Sequence, residues 1–210
     1  MNRHPILVAA LLLALFGVLG TSLVAFTHEQ TKERILANER QALLRSLQAL
    51  VPAMEVDNDM ADDSILVHAP ELLGSPQTWV YRGRKGGEPV AAVFTSVAPN
   101  GYSGPIRLLV GVRRDGTLAG VRVVTHKETP GLGDKIDERK SDWVLAFNGR
   151  SLGDPPPERW KVRRDGGDFD EFTGATITPR AVVKAVRGTL EFAQREGAKI
   201  YAPAPAADGA

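Results

Sequence analysis

Residues 5–27, PILVAALLLALFGVLGTSLVAFT, carry no charged side chain. As a helix this run covers roughly 33 Å, which matches a bilayer hydrocarbon core of about 30 Å. A cleaved export signal would show an apolar core of only ~7–15 residues ahead of a small-x-small site. The nearest such site, Leu23-Val24-Ala25, begins with a large residue. The segment therefore reads as an uncleaved transmembrane anchor in the lipid bilayer. Arg3, His4 and the terminal amine precede it, and His28, Glu29, Lys32, Glu33 and Arg34 follow, so the charge bias is weak. A short N-terminal tail with one Arg suits residues 1–4 on the cytoplasmic side. The rest of the chain then lies across the inner membrane, on the periplasmic face of a bacterium.

The 210 residues leave room for one ordinary domain behind the anchor. A formal net charge of +1, with no basic patch, argues against nucleic acid as a partner. The absence of cysteine excludes a disulfide framework, a thiol nucleophile, and cysteine-held zinc or iron–sulfur sites.

Residues 29–51 continue as a helix, with Leu36, Leu43, Leu47, Leu50 and Val51 at helical spacing until Pro52. Residues 28–69 read as a helical stalk and linker. Within them DNDMADD, 57–63, lacks the Gly and terminal Glu of a calcium loop and reads as a solvated acidic loop. From 77 to 125 the pattern is β. TWVYRG and PVAAVFTSVA flank the turn RKGGE, and IRLLVGVRR and TLAGVRVVTH flank Asp115-Gly116. Ile106, Leu108, Val110 and Val112 alternate as in a half-buried strand. WVLAFNG, 143–149, suits either a short helix or a strand. DPPPERW, 154–160, is a loop, and KVRRDGGDFD is a short strand running into a turn. In the last helix Thr178 is the expected N-cap, Pro179 sits at N1, and Val182, Val186, Leu190 and Ala193 form one apolar face. Gly197 is the expected C′ residue, and residues 198–210 read as a disordered tail. The fold class is α+β: an anchor helix, a stalk, and one domain over 70–197 with an antiparallel sheet and packed helices.

Most site chemistries fail on inspection. Ser103 in GYSGP lacks the spacing of a nucleophile elbow. His4, His28, His68 and His126 are scattered and offer no metal pair. There is no GxGxxG after a strand and no Walker A loop. Asp165, Asp168, Asp170 and Glu171 read as solvated acids of a turn. Two segments resist a purely structural reading. THKETPGLGDKI, 125–136, sets Gly131 and Gly133 around Leu132, just after Glu128 and Thr129. Such a loop brings backbone N–H groups close to a flat ligand, although a plain turn fits as well. DEFTGATITPR, 170–180, places small residues and threonines before a helix, whose N-terminus attracts anions. On its own that pattern fits either a phosphate site or a capped helix start.

Together these segments resemble the FMN-binding domain family shared by the membrane redox complexes Rnf and Na⁺-translocating NADH:quinone reductase. The family motif Asp-x-x-Ser/Thr-Gly-Ala-Thr stands here as Asp170-Glu171-Phe172-Thr173-Gly174-Ala175-Thr176. GYSGPIRLLVGVRRDGTLAGVRVVTHKETPGLGDKI resembles the family's other signature. The resemblance covers residues 70–197. The anchor, the length and the order of parts are similar to G subunits of Rnf complexes, with the C subunit of the quinone reductase as the alternative. It implies FMN joined to Thr176 by a phosphoester, with Thr173, Gly174 and Ala175 in the cofactor-binding turn; on that reading Glu128, Thr129, Gly131 and Leu132 are expected to line the ring. Trp143 either stacks near the ring or belongs to the core. It implies an electron carrier within an ion-translocating ferredoxin/NAD oxidoreductase, not an enzyme complete in itself. The implied partners are the other membrane subunits and a flavin transferase using FAD and Mg²⁺. Two readings from other classes compete: a non-redox periplasmic adaptor, and an anchored enzyme with loosely bound FMN.

Overall fold

The structure is a computed structural model that describes residues 4–202. It divides into two compact units, residues 1–43 and 44–210. The expected tail at 1–3 and the last part of the C-terminal tail, 203–210, lie outside the described residues.

Helix α1 (His4–Gln48) runs unbroken through the apolar segment and on into the charged one. Its first part is long and apolar enough to cross a membrane. Leu11, Leu13 and Phe16 there stand more than 70% exposed. A helix that is apolar on every side and buried on none is suited to lipid.

The second unit begins at Leu44, well ahead of the boundary expected at 70. Its sheet has five strands in the order β1-β2-β3-β4-β5, all antiparallel: β1 (Ser64–Val67), β2 (Thr78–Lys85), β3 (Glu88–Ala98), β4 (Ile106–Arg113) and β5 (Leu118–Thr125). The β2–β3 turn is made by Gly86 and Gly87, both at positive φ as a tight hairpin demands. At the β4–β5 turn the Asp115 carboxylate accepts from the hydroxyl of Thr117 at 2.7 Å and its N–H at 2.9 Å. Those bonds hold Asp115 below the usual carboxylate range.

One face of the sheet carries Ala92, Phe94, Leu108, Val110, Val112 and Val121, all essentially buried. Helix α3 (Ile177–Arg195) covers it with Val182, Val183, Val186 and Leu190. Phe192 meets Phe94 edge-on at 6.2 Å, and the hydroxyls of Ser96 and Thr189 pair at 2.7 Å inside this layer. β4 is buried on its second face too, where Leu109 is 4% exposed, so it is not the half-buried strand its alternation suggests. The Cβ of Leu50 comes within 3.3 Å of where a Cβ on Gly111 would lie, so the end of the stalk covers that face.

Residues 44–69 thus belong to the domain: Leu47, Leu50 and Val51 are buried, and β1 extends the sheet. The acidic segment is not simply solvated. Asp63 accepts from Arg82 Nε at 2.7 Å and from Arg84 Nε, and Asp57 accepts from the N–H of Gly86 at 2.6 Å. It pins the loop to the β2–β3 hairpin. At the other end, residues 197–201 are not a loose tail. Helix α4 (Gly197–Ile200) follows α3 directly, Ile200 is fully buried, and the Tyr201 hydroxyl donates to the Val112 carbonyl at 3.0 Å. Gly197 therefore opens a new helical turn.

Helix α2 (Pro70–Leu73) packs on α3 at Gly188, where a Cβ would lie 2.4 Å from the Leu72 carbonyl oxygen. Backbone cannot give way as a side chain does. Gly188→Ala is expected to destabilise the domain by about 1–3 kcal/mol despite the better helix propensity of Ala. Denaturant titration of the purified protein checks this, and an unchanged midpoint with unchanged slope would contradict it.

Candidate cofactor site

The first segment leaves β5 at Thr125. The carbonyl of Thr129 accepts from the N–H groups of Leu132 and Gly133, both at 3.1 Å, and Gly131 has φ +78°. A 3₁₀ turn over Gly133–Ile136 follows, and its buried Ile136 ties the loop to the core. The second segment turns at Phe172–Ala175. Ala175 N–H donates to the Phe172 carbonyl at 3.0 Å, and Gly174 has φ +80° while no other residue type in the described chain has positive φ. This matches a type II turn, which needs Gly at its third position.

The turn rests on an aromatic base. Phe172 meets Trp143 at 5.3 Å, Trp143 meets Phe147 at 5.4 Å, and Trp143 Nε1 donates to the Asp170 carbonyl at 2.8 Å. Trp143 lies in a 3₁₀ helix over Asp142–Phe147, which decides the helix-or-strand alternative and places Trp143 in the packing beneath the turn. The nearby acids are paired: Asp165 with Arg180 at 2.6 Å, Asp168 with Arg159, and Asp170 with Arg163 at 2.9 Å. The hydrogen bonds from Arg180 hold the Asp165 carboxyl below its usual range. These pairs are largely exposed and serve mainly to orient the loop.

The two segments meet. A cleft of about 340 Å³ is lined by Glu128, Thr129, Leu132 and Gly133 from the first and by residues 174–178 from the second. That volume falls within the range of small-molecule sites. Tyr102, Leu132 and Ile177 line it while 69%, 44% and 45% exposed. Three exposed large side chains converging on one cleft leave an apolar surface uncovered. Thr176 stands just ahead of α3 as its N-cap residue, and its hydroxyl makes no capping bond. The helix start beside it presents backbone N–H groups without intrahelical partners, a setting suited to an anion.

Thr178 is not the N-cap. The helix starts earlier, at Ile177, and the fully buried Thr178 hydroxyl donates to Glu128 instead. Of the residues singled out in the sequence, Glu128, Thr129, Leu132, Gly174, Ala175 and Thr176 line the cleft. Gly131 and Thr173 do not, and belong to the turns on either side. Tyr102, Gly133, Ile177 and Thr178 line it without having been singled out as site residues. Tyr102 lies in the GYSGP stretch, but nothing local marks a tyrosine that distant in sequence as a cleft wall.

A larger cavity, about 540 Å³, lies by the C-terminal end of α3, between the β4–β5 turn and residues 151–153. Its charged Arg114 and Asp115 are bonded to Glu88 and Thr117. It holds neither of the two segments, so size alone does not locate the chemistry.

A helix long and apolar enough to cross a membrane, followed by a domain with this cleft, defines a membrane-anchored small-molecule-binding domain. Residues 101–191 match the FMN-binding domain, and residues 1–50 match the RnfG N-terminal region. The G subunit of the ion-translocating oxidoreductase complex of Pseudoalteromonas atlantica is 51% identical over 91% of this chain and 89% of its own length. Those of Shewanella amazonensis and Pseudomonas aeruginosa are 48% and 47% identical, over 95% and 98% of this chain and 93% and 97% of their own. The chain belongs to the family of G subunits of ion-translocating oxidoreductase complexes.

Proposed function

We propose that this chain carries FMN covalently on Thr176, through a phosphoester, as an electron relay among the other membrane subunits of an Rnf-type complex. The observation that carries the reading is the meeting of the two segments around Thr176, whose hydroxyl makes no capping bond at the start of α3. The residues present suit FMN. Backbone N–H groups at the helix start would hold the phosphate, and Gly174 keeps that approach free of a side chain. Leu132, with Glu128 and Thr129, would flank the ring, Gly131 shapes the turn that carries them, and Tyr102 and Ile177 extend the apolar wall begun by Leu132. Bound FMN supplies one- and two-electron transfer, and the protein supplies position, exclusion of water and electrostatics.

Attachment balances as a transfer from FAD. The Thr176 oxygen bonds to the flavin-side phosphorus, the pyrophosphate bond breaks, AMP leaves, and the hydroxyl proton passes to a base on a Mg²⁺-dependent transferase. Covalent fixation suits a domain on the periplasmic side of the inner membrane, where dissociated cofactor would be lost. The match at residues 1–50 and the relatives' names favour the G-subunit reading over the C subunit of the quinone reductase.

The test is to co-express the chain with a flavin transferase, denature it in SDS and illuminate the gel. The expected result is a fluorescent band and an intact mass raised by one FMN less one water. Flavin released on denaturation would favour the loosely bound alternative. A colourless protein, with the transferase active on a control, would favour the adaptor.

A further inference from the structure

Glu128 is 4% exposed, yet forms no ion pair with Lys, Arg or His among the described residues. Its carboxylate accepts one neutral donor on each oxygen. The Ser103 N–H reaches Oε1 at 3.0 Å, and the Thr178 hydroxyl donates to Oε2. The Glu128 N–H donates to His126 Nδ1 at 3.1 Å. Two glycines stand close around the carboxylate. A Cβ on Gly101 would lie 2.9 Å from Oε1, and one on Gly133 would lie 3.0 Å from Oε2. The fold keeps both positions bare beside a buried acid that lines the cleft.

Burying a carboxylate without a cation is costly, and a neutral glutamine would bridge the same three segments. The charge itself therefore calls for a use. We infer that Glu128 is a fixed negative charge that lowers the reduction potential of the flavin in this cleft. The inference rests on the FMN reading above. Reduction adds electron density to the ring, and a carboxylate that is itself buried in the cleft wall opposes it more strongly than a solvated one would. The other charged neighbours do not substitute for it. Lys127 is exposed, and Asp134, also buried, is not among the cleft-lining residues.

The experiment is a spectroelectrochemical titration of the full-length, covalently loaded protein in detergent, wild type beside Glu128→Gln and Thr178→Val. A midpoint potential does not depend on the fraction of protein that carries flavin, so partial loading does not blur it. Gln retains an acceptor for Ser103 and a partner for Thr178 but no charge. Glu128→Gln is expected to favour reduction by at least about tenfold, which is ~30 mV more positive for a two-electron couple. Thr178→Val strips a donor from the carboxylate and is expected to move the potential the other way. A Glu128→Gln midpoint equal to wild type overturns the inference. Loss of flavin from both variants also overturns it, in favour of a purely architectural tie. Wild type without covalent flavin defeats the FMN reading itself, a different and separable failure.

Discussion

Thr176→Ala is expected to yield a folded, dark protein: no covalent flavin in the denatured band, and no mass gain. The proposed linkage needs one hydroxyl oxygen at one place, and Ala removes that atom and little else. The Thr176 side chain makes no capping bond, so α3 keeps its start, and its carbonyl still accepts from the Arg180 N–H at 3.2 Å. A substitution at this half-buried helix start should change stability by no more than about 0.5 kcal/mol. The neighbouring threonines do not offer an equivalent oxygen. Thr178 is fully buried with its hydroxyl committed to Glu128, and Thr173 is exposed on the turn outside the cleft. In-gel fluorescence with peptide mass mapping decides the matter. Flavin on any peptide of the variant would reassign the attachment residue, and loss of folding by circular dichroism would remove Thr176 from a purely chemical role.

Phe147→Ala is expected to produce a large loss of stability. Phe147 is fully buried and stacks on Phe169 at 4.7 Å and on Trp160 at 6.3 Å, while Trp143 meets it edge-on at 5.4 Å. Its removal opens a cavity whose walls are held by rings that cannot collapse far, at a cost of about 3–5 kcal/mol. For a unit of this size that lowers Tm by roughly 10 °C. The damage should reach the cofactor site, because Trp143 supports Phe172 and holds the Asp170 carbonyl. Thermal unfolding followed by tryptophan fluorescence measures the first effect. A shift of less than about 2 °C would mean that the cluster repacks and that the turn does not depend on it.

Much of the architecture was legible locally. Both hairpins carry glycine at positions that require positive φ, and α3 shows its buried stripe in the 3.6-residue period of Val182, Val186 and Leu190. The site was legible as two short segments, and their joining was not. Residues 125–136 and 170–178 come together because β5 delivers one loop and α3, packed across the sheet, delivers the other.

The sequence by itself determined the apolar anchor helix, the β2–β5 strands with their turns, the amphipathic final helix and the Asp170–Thr176 motif. These depend on composition, period and turn chemistry within a few residues. The tertiary structure alone decided that residues 44–67 belong to the domain, because Leu50 finds its place against Gly111 and β1 finds its partner in β2. It also decided that Thr178 serves Glu128 and not the helix end, because the helix begins ahead of Thr178 and a buried carboxylate fifty positions away needs a donor.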